Sequence, residues 1–200
     1  MMRLERWFGV RVFRVRSRPL VQTPRLPPLP AGWSIREVSH SQMRVLAQDP
    51  ELDLAMDFVE WAIANSATMT TVFEHERAVA YAFAIAGSAP AGDGVAVRCE
   101  HPYRYSFKSY TRPEHRGKRL STYTSLGSDA AFMRRGFTHA ISYARTSNYG
   151  SMRTEAGKGN RVIGIAGYVI FRGVRFTFHS RGCRRVGFAF FDPASSGGRG

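Results

Sequence analysis

A chain of 200 residues, 44% hydrophobic and 12% aromatic, is long enough to bury a core and too apolar to be disordered. Its net charge of +14 and isoelectric point near 10.8 favour anionic partners: nucleic acid, acidic lipid or a phosphorylated ligand. No apolar run reaches the ~18 residues that a bilayer span needs, and Cys99 and Cys183 lack a Cys or His at zinc-like spacing.

The two cysteines therefore read as small buried hydrophobes in a reducing compartment. Arginines interrupt the N-terminus every two or three residues, where a signal peptide needs an apolar core, so the expected location is cytoplasmic.

Residues 1–32 differ in composition from the rest. The first 25 contain seven arginines, Arg3, Arg6, Arg11, Arg14, Arg16, Arg18 and Arg25, against the single acid Glu5. Val10 to Arg16 nearly alternates apolar and basic, which fits an edge strand or a surface-lying segment; the arm either reaches an anionic partner, stays a solvated extension or packs on its own domain, the last two being favoured. Pro24, Pro27, Pro28 and Pro30 then make a stiff, extended linker. The expected organisation is a basic arm and linker over 1–32, a folded domain over 33–192 and a flexible tail over 193–200.

Trp33 to Val38 reads as a strand, with Ser39 or Ser41 able to cap the next element. Asp49 to Ala64 reads as a helix whose acids Asp49, Glu51, Asp53, Asp57 and Glu60 form a solvated face near its start. Met69–Phe73 and Ala78–Ala86 flank the turn Glu74-His75-Glu76-Arg77, a hairpin signal. Ala89 to Gly94 reads as a small-residue loop, and Tyr103 to Thr111 as a long strand. A helix is expected from about Gly117 to Arg135, capped by Gly136, followed by a strand over Thr138–Arg145 and a short helix over Ser147–Ala156. Strands over Arg161–Phe171, Arg175–His179 and Arg185–Phe191 complete the pattern. Strands on both sides of central helices, without regular βαβ alternation, predict an α+β fold with a mixed sheet.

The segment Tyr110-Thr111-Arg112-Pro113-Glu114-His115-Arg116-Gly117-Lys118-Arg119-Leu120-Ser121 carries the chemistry. A strand ends, proline turns the chain, and a short basic loop opens a helix. The first turn of a helix presents unpaired N–H groups and the positive end of the dipole, a ready anion site. Gly117 lets the backbone come close to a phosphate, Arg116, Lys118 and Arg119 add charge, and Ser121 adds a hydroxyl. Cations at that end oppose the dipole unless an anion sits between them. The pattern therefore favours a ligand over a bare basic helix start.

This segment resembles the pyrophosphate loop of the GNAT superfamily of N-acetyltransferases, Arg/Gln-x-x-Gly-x-Gly/Ala after a strand and before a helix. Arg119 stands where the second glycine is usual, and Ser121 where a final Gly or Ala is usual. Asn148 and Ser151 fit the family's next segment, while Glu155 stands at its usual Tyr position. The resemblance covers 33–192 in element order. It implies a mixed, mostly antiparallel sheet of six to seven strands flanked by helices and splayed between its fourth and fifth strands. It further implies acetyl-CoA or another acyl-CoA as cosubstrate, an amine as acceptor and no metal. Backbone near Tyr110 and Thr111 would hold the pantetheine arm, with the diphosphate on Arg116, Gly117, Lys118, Arg119, Leu120 and Ser121. Asn148 would contact the arm from the far side.

Direct transfer to an amine needs a base, donors for the oxyanion and an acid for the thiolate. Lys108 occupies the place where many members carry a carboxylate. Tyr149 is the candidate acid, and Glu100 or His101 the candidate base. Two other readings compete. One is an acyl-CoA-binding sensor or scaffold without turnover. The other is a nucleic-acid binder using Arg172, Arg175, Arg181, Arg184 and Arg185 near Phe171, Phe176 and Phe178, although phenylalanines that alternate in strands are expected to be core.

Overall fold

The computed structural model describes residues 9–21, 27–146 and 159–196. Its strands are β1 (Arg11–Pro19), β2 (Trp33–Glu37), β3 (Thr68–Glu74), β4 (Arg77–Ala86), β5 (Ser88–Gly92) and β6 (Val95–Arg98), then β7 (Tyr103–Thr111), β8 (His139–Arg145), β9 (Arg161–Phe171), β10 (Val174–His179) and β11 (Ala189–Phe191). Helices are α1 (His40–Leu46), α2 (Met56–Ala64), α3 (Leu120–Gly127), α4 (Asp129–Arg134), α5 (Arg181–Arg185) and α6 (Pro193–Ser196), with 3-10 turns at Pro50–Leu52 and Pro113–His115. The protein is α+β. Its main sheet is mixed and eight-stranded, in the order β10-β9-β1-β8-β7-β4-β3-β2, beside a three-stranded sheet β11-β6-β5. No described helix is long and apolar enough to cross a membrane.

The chain folds as two compact units, one of Pro19–Ile85 with Ser106–Thr138, the other of Met1–Arg18, Ala86–Tyr105 and His139–Gly200. In the former, β2, β3 and β4 form an antiparallel meander. Its hairpin turn places His75 and Glu76 at φ of 44° and 67°, the pair of left-handed residues that a tight hairpin requires. Val72, Val79, Ala80, Leu120 and Tyr123 form a buried cluster joined by Leu29, Trp33 and Ile35, so the start of α3 is nailed to the sheet by its own apolar residues. Ser39 caps α1 in a capping box with Gln42, as expected. The helix expected over 49–64 is broken. Asp49 turns the chain by accepting from the Glu51 N–H, and Asp53 adopts φ 46°, so only Met56 onward is α-helical. The long helix expected from Gly117 likewise becomes α3 and α4 with Ser128 between them, and Gly136 at φ 85° closes it as foreseen.

In the other unit, β1 is antiparallel to β9 from Arg11↔Tyr168 to Ser17↔Arg161, and lies between β8 and β9. The edge or surface position expected for Val10–Arg16 is thus corrected. Phe13 and Val15 are buried, Phe13 in an aromatic cluster with Tyr143, Tyr168 and Phe190 at ring distances of 4.8 to 5.9 Å, so the segment is core rather than arm. Strand β7 pairs in parallel with β8 at Tyr103↔His139, Arg104↔Ala140 and Tyr105↔Ile141, then continues into the first-described unit at Ser106. Two further expectations change. Ala89–Gly94 is largely strand β5, because Ala89 and Pro90 align with Val97 and Ala96 of β6. Arg185–Phe191 is a helix end followed by β11, because Gly187 at φ 62° terminates α5. Cys99 and Cys183 are free and buried, and burial pushes the Cys99 thiol up to about 12. Of the tail, Pro193–Ser196 is a helical turn.

Candidate functional site

The basic loop and the part of β7 that leads to it, from Ser106 onward, belong to one unit. Arg112, at the end of β7, is the anchor. Its guanidinium is almost fully buried, with Nε donating to the Ala78 carbonyl at 2.8 Å and its two terminal nitrogens bonded to Glu51 and Asp49. Its own N–H donates to the Val79 carbonyl at 3.0 Å, so backbone and side chain both tie the loop to β4. Two of the acids expected as a solvated helix face therefore serve as counter-ions instead. A third, Asp53, lies 3.7 Å from Lys108, and Glu60 pairs with Arg44 at 2.7 Å.

Beyond Arg112 the chain makes a 3-10 turn and becomes exposed through Arg116, Gly117, Lys118 and Arg119 until Leu120 is buried. Gly117 has φ 83°, and a Cβ there would meet nothing within 4 Å, so the space over its backbone is open. Arg119 has φ 58°, a conformation that costs a side-chain-bearing residue roughly 1–2 kcal/mol. Arg119 holds this left-handed geometry with a side chain. No side chain caps the start of α3. Arg116 and Lys118 flank the start of α3, Arg116 reaching back to the Thr111 carbonyl at 3.4 Å and Lys118 lying 5.3 Å above the Trp33 ring.

Around it the walls are ordered by paired charges. His115 is buried, with Nε2 2.9 Å from Glu74 and its ring 5.7 Å from Trp33. The His115 bond holds the Glu74 carboxyl below its usual range. Glu76 is bonded to Arg36 at 2.6 Å, so both hairpin glutamates are committed to structure. Tyr110 stacks on Tyr81 at 5.9 Å and lines a cavity of about 360 Å³ with Pro50, Glu51, Asp53, Arg112, Pro113 and Glu114. Tyr81 donates to the Asp53 carbonyl at 2.9 Å, and burial raises its phenol well above the ordinary value.

One residue escaped the sequence reading as a backbone feature. Lys108 lies in the middle of β7 at φ 30°, a left-handed value that a non-glycine residue rarely adopts inside a strand. Its ammonium sits 5.2 Å above Phe58. Nothing in a lysine signals such a conformation, so no sequence pattern could have found it.

The other candidates are elsewhere. Glu100 and His101 are exposed in the turn before β7, in the unit that does not contain the loop; the Glu100 carbonyl accepts from Tyr103 at 2.9 Å. That unit has its own cavity of about 380 Å³, lined by Phe13, Ala91, Gly92, Asp93, Tyr143, Ala144, Arg145 and Tyr168. Tyr143 is hydrogen-bonded to Tyr105 and stacked on it at 5.8 Å, and burial raises both phenols. Asn148, Tyr149, Ser151 and Glu155 lie outside the described residues. Among the described residues no group of His, Cys, Asp or Glu could hold a metal ion.

The mixed sheet contains a parallel pair, β7 with β8, and β7 leads through a basic turn to the uncapped start of α3; the same fold is found in solved structures of GNAT acetyltransferases. A GCN5-related N-acetyltransferase from Kribbella flavida superposes with a TM-score of 0.54 at 16% identity, over 86% of this chain and 62% of that one. A GCN5-related N-acetyltransferase from Sphaerobacter thermophilus gives 0.54 at 13% identity, over 89% and 55%. A tandem GNAT protein from the clavulanic acid biosynthesis pathway gives 0.53 at 15%, over 85% and 54%. The chain thus spans between 53% and 65% of the length of five solved structures of this fold. At such identities the likeness is one of fold. No protein-family model and no curated protein matches the sequence.

Proposed function

We propose that the protein binds coenzyme A thioesters and transfers the acyl group, acetyl in the simplest case, to an amine. The observation that carries this reading is the open, uncapped start of α3 behind Gly117, flanked by Arg116, Lys118 and Arg119. Amides from Gly117 to Ser121 would receive the diphosphate, and the exposed guanidinium and ammonium groups would neutralise its charge. Backbone of Tyr110 and Thr111 would hold the pantetheine arm as an added strand, with Asn148 on its far side. The left-handed backbone at Lys108 would turn an amide toward the thioester carbonyl.

In the reaction the neutral amine attacks the thioester carbon, the carbonyl electrons move to oxygen, and collapse of the tetrahedral species breaks the C–S bond. The amine proton leaves to solvent, and the departing thiolate would take a proton from Tyr149. A second reading, acyl-CoA binding without turnover, is favoured by Lys108 in place of a carboxylate. Two measurements separate them. Calorimetric titration with coenzyme A should show saturable binding; its absence would overturn both readings. Release of free thiol from acetyl-CoA in the presence of an amine panel then supports transfer, and binding without thiol release supports the sensor.

A further inference from the structure

Strand β10 is the edge of the main sheet and pairs with β9 as a hairpin. Arg172 and Gly173 close that hairpin at φ 48° and 81°, the two left-handed residues of a tight turn. A Cβ on Gly173 would meet nothing within 4 Å, so the tip opens to solvent. Val174, Phe176 and Phe178 stand opposite Phe171, Val169 and Gly167, and their side chains share one side of the sheet. Ile165, two residues on from Gly167, belongs to the same side. On that side Phe176 is 58% exposed and Val174 54%, while Phe171, Ile165 and Phe178 are each at least 39% exposed. The expectation that alternating phenylalanines are core fails here, because this side of β10 is left open.

The charge of these strands has one sign. Neither β1, β9 and β10 nor the turn between β9 and β10 contains an Asp or Glu. Two exposed arginines bracket the apolar side chains. Arg172 lies at the tip with its guanidinium 5.5 Å from the Phe171 ring, and Arg14 of β1 stands opposite Ile165 at the other end. From Phe171 to Ile165 the patch runs roughly 20 Å along the strand. The remaining arginines of this region face elsewhere. Arg175 alternates to the opposite side, where Nε donates to the Asp93 carbonyl at 2.9 Å and a terminal nitrogen lies 3.3 Å from Asp192. Arg181, Arg184 and Arg185 belong to α5, which packs where Gly164 meets Ser180 and Cys183, on the Arg175 side of β9.

We propose that this β9–β10 face docks on an anionic lipid surface. Its apolar side chains would lie at the boundary of headgroups and acyl chains, with Arg14 and Arg172 among the lipid phosphates. Exposed apolar side chains gathered in one patch mark an interaction site, and an acidic bilayer matches both the patch and the cations at its ends. Apolar side chains of any shape enter a bilayer, so Val174 and Ile165 contribute as the phenylalanines do. A nucleic-acid single strand instead stacks on rings alone and follows a continuous line of cations. The arginines can keep their guanidinium groups at the headgroups while their stems lie along the apolar side chains. The net charge of +14 draws the chain toward the same surface from a distance. A few inserted side chains and a few cations make a reversible attachment that salt weakens. This docking is independent of acyl transfer.

Flotation of the full chain with vesicles tests this, using phosphatidylcholine alone and an equal mixture with phosphatidylserine. Binding to the mixture is expected, at least tenfold stronger than to phosphatidylcholine alone. The partition coefficient should fall at least tenfold in the double variant Phe171→Ser, Phe176→Ser. Thr177→Ala, one residue along on the opposite side of the strand, should change it less than twofold. Phe176→Trp gives a direct reading as the difference from the wild type, which has three tryptophans. Its added emission should shift to the blue and be quenched by brominated acyl chains, whereas that of Thr177→Trp should not. Far-ultraviolet circular dichroism and the thermal midpoint establish that each variant is folded. If the double variant fails to fold, the two tryptophan variants decide. A wild-type chain that ignores the mixed vesicles overturns the proposal, and so does one that binds them equally after the double substitution, since bulk charge would then suffice. Phe176-dependent binding to a single-stranded oligonucleotide, or self-association through Phe176, without vesicle binding overturns it too and assigns the face to that partner.

Discussion

Nε2 of His115 lies 2.9 Å from Oε2 of Glu74, joining the turn after β7 to the tip of the β3–β4 hairpin. The bond fixes the base of the basic loop to the sheet, and it lowers the pKa of Glu74 in the folded protein relative to its ordinary value of 4.5. A carboxyl with a depressed folded pKa contributes stability that is complete above its unfolded value and is lost as pH falls through the folded one. Stability should thus decline below about pH 4.5 in the wild type. Glu74→Gln should be less stable at neutral pH and show a flatter acid limb, read as the urea midpoint from pH 3 to 7. Parallel acid limbs in the two proteins would refute the assignment.

Arg112 should be the most costly loop residue to truncate. Arg112→Ala removes a buried guanidinium from Asp49, Glu51 and the Ala78 carbonyl together. Its two acids are partly exposed and can rehydrate, so the loss should be about 3 kcal/mol, toward the low end for a broken buried pair. Denaturant melts measure it, and coenzyme A affinity should fall with it because the loop loses its anchor.

Arg119→Gly separates folding from binding. Relief of the left-handed strain at φ 58° outweighs the added chain entropy of glycine by roughly 0.5–1 kcal/mol, which for a chain of this size is a rise of one to three degrees in thermal midpoint. The same change removes a cation from the proposed diphosphate site. Coenzyme A should then bind about three- to tenfold more weakly at low salt, and the difference should shrink as ionic strength rises. Unchanged affinity would show that this guanidinium takes no part.

Gly117→Val should weaken coenzyme A binding more than tenfold with little clash, because the space around residue 117 is open and the penalty comes from φ 83° and a covered amide. Calorimetry with the folded variant decides this. Retained affinity would move the site away from the turn.

Gly182→Ala tests the packing of α5. In an exposed helix the change would stabilise by up to about 1 kcal/mol, but a Cβ here runs into the Ile163 carbonyl oxygen. A loss of about 2 kcal/mol or more is expected in denaturant melts.

The sequence by itself determined the elements whose signals are local. Tyr103–Thr111 was legible as a strand from alternation, Glu74–Arg77 as a hairpin from its polar turn, and Gly136 as a helix stop from its position after Arg134-Arg135. The turn between Thr111 and Leu120 was legible because a proline and a glycine stand between a strand pattern and a helix pattern. What depends on partners distant in the chain was decided only by the tertiary structure. Val10–Arg16 has the pattern of an edge strand, yet β8 and β9 close on both sides of it, and no local property records which strands arrive later. Asp49 and Glu51 read as solvated acids until Arg112, some sixty residues away, comes to lie between them. Phe176 and Phe178 have the alternation of core residues, but alternation fixes only that they share a side. Whether anything covers that side depends on packing between elements, which the periodicity of a single strand does not encode.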